Sequence, residues 1–308
     1  MKVALAYICV LLIWSTTPLA IKWSNGSLDF MLAVSVRMFI AALLCSAILA
    51  VLRKPLVQNR REVKAMLAGA LGLFPNMLLV YWSAQYIPSG LMSILLGFYP
   101  FFVGAFSILL MRENPFNYAR VMALLIALAG LVIINVAQIK LGSQAVLGVA
   151  GILLSSVNFS LSTVALKKLG GGTEPLRQLS GSLIFATPMF VLCWWFLGGD
   201  IPHHIDNKSL FAIIYLVIAG SMVGGLAFYF VLHHCSVSTV SLIPLFTPVL
   251  ALVIGYLFAG ERLTLSSLIG SALILLSVAV YQGVFNRMMR RLSQFWGSIV
   301  FRAAKALS

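Results

Sequence analysis

Charge is scarce in this chain. Of 308 residues only 9% are charged, and acidic residues number 7 against 21 lysines and arginines. So little charge, with 61% hydrophobic residues and a mean hydropathy of +1.05, excludes a soluble globular domain and makes lipid the solvent in which the chain folds. The net charge of +14 would suggest nucleic acid in a soluble protein. Here the basic residues fall in short segments between apolar runs, so no nucleic-acid partner is expected. Cysteine is scarce as well: Cys9, Cys45, Cys193 and Cys235 stand singly inside apolar runs. That spacing gives neither a disulfide framework nor a metal site, and no cofactor is called for.

What is abundant is long apolar sequence. One crossing needs ~20 apolar residues, and ten runs qualify, at 3–21, 30–52, 65–82, 90–111, 117–137, 147–166, 178–198, 209–232, 239–259 and 266–285. The expected fold is an all-α polytopic membrane protein of ten transmembrane helices. With both termini in the cytoplasm, sixteen basic residues fall inside: Lys2, Arg53, Lys54, Arg60, Arg61, Lys64, Arg112, Arg120, Lys167, Lys168, Arg177, Arg287, Arg290, Arg291, Arg302 and Lys305. Only Lys22, Lys140, Lys208 and Arg262 fall outside, with Arg37 inside the second run. That bias follows the positive-inside rule and puts both termini in the cytoplasm.

A weak internal repeat crosses this plan. At an offset of 148 residues Tyr81 falls on Tyr229, Ser93 on Ser241, Pro100 on Pro248, Leu109 on Leu257 and Glu113 on Glu261. Five crossings per half force the second copy to enter upside down, which predicts two inverted five-helix repeats, residues 1–137 and 147–285. Residues 286–308 place Met288, Met289, Leu292, Phe295, Trp296 and Ile299 on one helical face and their basic residues largely off it. This spacing predicts an amphipathic interfacial helix on anionic lipid of the inner leaflet.

Trp14 followed by Lys22, Arg37 in the second run, the Pro100 to Glu113 pattern and its echo from Pro248 to Glu261 with Gly270 behind it resemble the EamA-type members of the drug/metabolite transporter superfamily. Gln178 with Gly181 is similar to the counterpart of the Arg37 region in the second half. Asn158 and Phe159 stand where the second repeat of such proteins often has a tryptophan. The resemblance covers residues 1–285 and implies an inner-membrane secondary transporter of small organic metabolites, an exporter of amino acids or related compounds; a non-transporting receptor or assembly subunit is the alternative, and an enzyme is disfavoured because the spans hold no Asp, Glu or His placed for acid-base or metal chemistry. It also implies a central cavity lined by spans 1, 3, 4, 6, 8 and 9, on which Trp14, Asn76, Tyr81, Tyr99 and Asn158 are the substrate-binding candidates.

Other residues bear two readings. Arg37 is the one formal charge well inside a run, so it either snorkels to the interface or contacts substrate. Pro100 and Pro248 each free a backbone carbonyl near mid-span, as a passive kink or as a hinge of the pathway. Glu113 and Glu261 end their runs at the membrane surface and are expected to cap the helices that follow. Gly220 and Gly224 read as close helix packing. His233 and His234 are solvated loop residues or a pH-sensitive gate. No carboxylate falls within a run, which predicts transport down the substrate gradient without proton coupling.

Overall fold

The computed structural model describes residues 1–87, 89–135, 144–169, 173–197, 202, 204–259 and 264–281. Glu261 and the interfacial helix expected over 286–308 lie outside them. The described elements are helical: α1 (Lys2–Ser24), α2 (Phe30–Val51), α3 (Arg60–Leu71), α4 (Asn76–Ser83), α5 (Ser89–Leu96) and α6 (Tyr99–Phe106), the last running into a π-helical stretch, Ser107–Met111. There follow α7 (Tyr118–Asn135), α8 (Ala145–Leu169), α9 (Pro175–Phe196), α10 (Asn207–Tyr215), a second π-helical stretch at Leu216–Val223, α11 (Gly224–His234), α12 (Val237–Val240), α13 (Ile243–Ala259) and α14 (Leu265–Tyr281).

Joined across short breaks, 7 of these segments are long and apolar enough to cross a bilayer, and three shorter apolar helices lie at Tyr118–Ile134, Val237–Leu250 and Leu268–Tyr281. A helix satisfies its backbone internally, so a chain this apolar has few other ways to cross lipid. Helix starts are set by short polar residues. Asp29 accepts from Met31 N and Leu32 N at 2.8 and 3.3 Å, and Asn59 from Glu62 N at 3.0 Å. The cap expected from Glu113 is supplied instead by Asn117, whose Oδ1 accepts from Arg120 N at 2.8 Å. Glu113 sits in the turn before it, its own N–H donating to Ser107 O at 3.3 Å.

Side-chain burial inverts the pattern of a soluble bundle. Leu5, Leu43, Trp195 and Phe211 are exposed, whereas Ser24, Ser160, Ser180, Ser182 and Ser209 are fully buried. Large apolar surfaces face lipid, and small hydroxyls satisfied by helix carbonyls let helices approach closely. Backbone meets backbone between α7 and α14, where a Cβ on Gly130 would lie 2.7 Å from Gly270 O and one on Gly270 would lie 2.6 Å from Gly130 O.

The neighbours pair in a regular way. α2 lies along α9 and α7 along α14, while α1 packs on α11 and α13 as α8 packs on α4 and α6. A shift of about 148 residues carries each member of the first set onto its counterpart. One end of the bundle carries a charged clasp. Arg177 at the start of α9 pairs with Glu62 of α3, their side chains 6% and 8% exposed, and its Nε donates to Pro55 O at 2.8 Å. Beside it Lys54 pairs with Glu174, and Arg61 Nε donates to Leu169 O at 3.0 Å.

Candidate functional site: a central cavity with a buried arginine

Between the two sets of helices lies a cavity of about 160 Å³. One wall is aromatic. Trp14 stacks on Phe228 with centroids 5.2 Å apart, Phe159 lies 5.5 Å from Phe228 and 5.9 Å from Trp14, and Tyr99 stacks on Phe159 at 5.2 Å. Offset and tilted contacts of this kind hold rings as a rigid surface. The polar groups at the cavity are few: Arg37, Asn76, Ser155, Ser156, Ser162, Thr163 and Ser221 among them.

Arg37 lines the cavity while only 4% exposed. The snorkelling reading therefore fails. The guanidinium turns into the protein, Nε donating to Ser221 Oγ at 2.9 Å and Nη1 to Tyr81 Oη at 3.3 Å. Gly220 makes the room, since a Cβ there would come 3.0 Å from Nη2. The same is not true of Gly224, which borders Ile13 and Trp14 of α1 and is a helix contact as expected. Among the described residues the salt bridges are Lys54–Glu174 and Arg177–Glu62, so no carboxylate there pairs with Arg37.

Of the other candidates, Trp14, Asn76 and Tyr99 line the cavity and Tyr81 and Asn158 do not. Tyr81 is fully buried behind it and holds Arg37, which makes it a positioning residue. Asn158 Nδ2 donates to Leu71 O at 2.7 Å, tying α8 to the break between α3 and α4. Asn76 Nδ2 donates to Gly72 O at 2.9 Å and its Oδ1 accepts from Ser155, while Tyr99 Oη shares a 2.7 Å hydrogen bond with Thr163. Pro100 lies in the first turn of α6, after a break at 97–98, whereas Pro248 sits inside continuous α13. The two repeat-related prolines thus occupy different local structures. His233 and His234 are both exposed.

Of the aromatic wall, Phe228 was not singled out from the sequence, and Phe159 stood out only as occupying, with Asn158, a place where a tryptophan is usual. Phe159 stands before Lys167 at the interval by which Trp14 stands before Lys22, a signal present but unused. Phe228 is one turn beyond Gly224 on the face toward α1, and at the 148-residue offset it falls on Val80, so the repeat gave no hint of it. Ser156 also borders the cavity, its hydroxyl buried and without a hydrogen-bond partner. Among the described residues no three His, Cys, Asp or Glu side chains converge. What the cavity offers is ring faces, hydroxyls and a guanidinium.

The model of the EamA-like transporter family matches the chain twice, over residues 1–136 and 146–282. The chain belongs to the EamA-like transporter family. Within it, the chain is 27% identical to the uncharacterized transporter YoaV of Bacillus subtilis (strain 168), covering 93% of this chain and 98% of that one. It is 26% identical to an uncharacterized transporter of Archaeoglobus fulgidus over 87% and 94% of the two chains. It is 23% identical to the uncharacterized inner membrane transporter YedA of Escherichia coli (strain K12) over 84% and 83%. A solved crystal structure 18% identical shares this fold with a TM-score of 0.76, covering 93% of this chain and 98% of the other. This family member is a multi-pass membrane protein, and its relatives are named as transporters.

Proposed function

We propose that this EamA-family protein is a secondary carrier of small organic metabolites that exports amino acids or related compounds. It works by alternating access between two inverted five-helix halves, residues 1–137 and 147–285. The observation that carries the reading is the central cavity, built by helices of both halves and bordered by a buried guanidinium with no carboxylate partner among the described residues. A guanidinium that has lost water without gaining a counter-ion recovers that interaction when an anionic group arrives. A carboxylate is such a group, and the rings of Trp14, Tyr99, Phe159 and Phe228 supply apolar contact for the rest of the molecule. At about 160 Å³ the cavity is smaller than the ~300–1,000 Å³ of drug-sized sites, which favours a small solute.

The double family match and the mirrored helix pairs support the inverted construction, which many secondary transporters use to make two access states. The loop charges support ten crossings with both termini in the cytoplasm, and the name of the Escherichia coli relative supports the inner membrane. The test is thermal unfolding of the purified protein across a library of amino acids and small carboxylates. A true substrate at 100 times its dissociation constant adds ~2.7 kcal/mol. Failure of every anionic or zwitterionic compound to stabilise, with stabilisation by cations or apolar compounds instead, would sink the reading.

A further inference from the structure

A second, smaller cavity of about 30 Å³ adjoins the central one, sharing Leu166 and Tyr229 with it and reaching Lys167, Thr173, Gln178 and His233. Gln178 is 4% exposed. Its amide nitrogen is occupied, Nε2 donating to Ala65 O at 2.9 Å and to Ser182 Oγ at 3.0 Å. Because a backbone carbonyl only accepts, this fixes which end of the amide is nitrogen. The other end, Oε1, is buried and has no donor. Buried acceptors are nearly always paired, so one left unpaired on a side chain that lines a cavity points to a ligand that donates.

The surroundings restrict what that ligand is. Lys167 Nζ donates to the carbonyls of Leu232, His233 and Cys235 at 2.7, 3.3 and 2.8 Å, so its N–H groups are spent and hold no incoming anion. Its positive charge in the same wall also disfavours a cation. A neutral hydroxyl or amide N–H remains, and about 30 Å³ suffices for such a head but not for a ring. Gln178 lies in α9, the repeat counterpart of α2, although at the 148-residue offset Arg37 falls on Phe185. Arg37 lies over Gly220 of the second half and Gln178 over Gly69 of the first, where a Cβ would come 2.8 Å from Nε2 and 3.0 Å from Tyr229 Oη.

We propose that this vestibule is a second recognition site, in which Gln178 Oε1 accepts a hydrogen bond from a neutral hydroxyl or amide group of the substrate as it passes between the central cavity and the end of the bundle bearing His233. The site rests on the reading of the central cavity as the substrate path. It makes Gln178 a specificity residue for what the carried acid bears besides its carboxylate.

The experiment compares flux of paired solutes in vesicles reconstituted with the full chain: L-serine against L-alanine, and L-threonine against L-2-aminobutyrate. In the wild type the hydroxylated member of at least one pair is carried roughly three- to tenfold faster, the worth of one hydrogen bond. Gln178→Met brings that ratio to about one. Because both solutes are read on the same vesicles, the ratio is independent of how much protein inserts, and Gln178→Ser is read the same way should Gln178→Met fail to insert. Flux without a hydroxyl preference in the wild type, as when a water alone fills the vestibule, overturns this site and leaves the cavity reading standing. So does a preference that survives both substitutions. Absence of flux for every solute, with other small carboxylates also silent, overturns both.

Discussion

Arg37 Nη1 donates to Tyr81 Oη across 3.3 Å in a setting where Tyr81 is fully buried and Arg37 almost so. The hydroxyl therefore does more than fill space: with Ser221 it fixes the direction of a charge that has no carboxylate partner among the described residues. Tyr81→Phe leaves one buried N–H without its acceptor, a loss of about 1–3 kcal/mol. The expected result is substrate affinity weakened roughly tenfold with the fold retained, read from ligand-dependent thermal shifts. Unchanged affinity would show that Ser221 alone orients Arg37.

Phe159 touches three other rings, those of Trp14, Tyr99 and Phe228. Phe159→Ala removes the centre of the aromatic wall and is expected to abolish measurable binding; because the ring is half-buried, the unfolding temperature falls by less than the ~3–5 kcal/mol of a fully buried Phe→Ala change implies. Phe159→Trp keeps a ring surface and is expected to keep binding. Binding that survives Phe159→Ala at full strength would remove the aromatic wall from the substrate site.

The Glu62–Arg177 pair joins α3 to α9 with both side chains nearly buried. Removing one partner strands the other charge, at a cost of about 3–5 kcal/mol, whereas replacing both by apolar residues is often close to neutral. Arg177→Met and Glu62→Leu singly are expected to lower the unfolding temperature sharply, and the double substitution to restore most of it. Equal loss in the double variant would show that the hydrogen bond from Arg177 to Pro55 O matters more than the ion pair.

Much of this was legible in the sequence because lipid leaves few choices. Each apolar run overlaps an apolar helical segment, and Trp14, Asn76, Tyr99 and Arg37 do meet at one cavity. What escaped was set by which way a side chain turns. Arg37 and Asn158 are both polar residues inside spans, yet one faces the cavity and the other a helix break, and only the packing of the neighbouring helix decides that. Pro100 and Pro248 align in the repeat but not in local structure, because the break at 97–98 lets Pro100 start a helix that Pro248 interrupts in the other half. Phe228 reads as an ordinary core phenylalanine, and nothing in its type separates a cavity wall from a core, whereas Phe159 stood out through the resemblance, at a place where a tryptophan is usual. Gln178 resembled the counterpart of Arg37, but its open oxygen becomes visible only when both amide ends are placed.

The acidic residues argue against proton coupling. Asp29 caps α2, Glu62 and Glu174 are paired with Arg177 and Lys54, Glu113 lies in a turn, and Asp200 and Glu261 lie outside the described residues. Asp206 caps α10, and the hydrogen bond from the Ser209 N–H holds its carboxyl below the ordinary range. Its contribution to stability is therefore present above the ordinary Asp pKa and lost only as pH falls through that lowered value, well away from neutral working conditions. Among the described residues no acidic side chain borders the cavity. An imposed pH gradient is thus expected to leave substrate at equilibrium across reconstituted vesicles. Accumulation above equilibrium that Glu113→Gln or His233→Ala abolishes while counterflow persists would contradict this.

The most direct measurement is counterflow in vesicles holding only the purified protein, preloaded with the solute that best stabilises it, for wild type, Arg37→Lys and Arg37→Ala. Lysine cannot reproduce the forked geometry that reaches Ser221 and Tyr81 together, so both variants are expected to lose at least tenfold in exchange of anionic or zwitterionic solutes while inserting normally. Saturable binding by the wild type without any exchange would contradict the account, and so would full exchange in both variants.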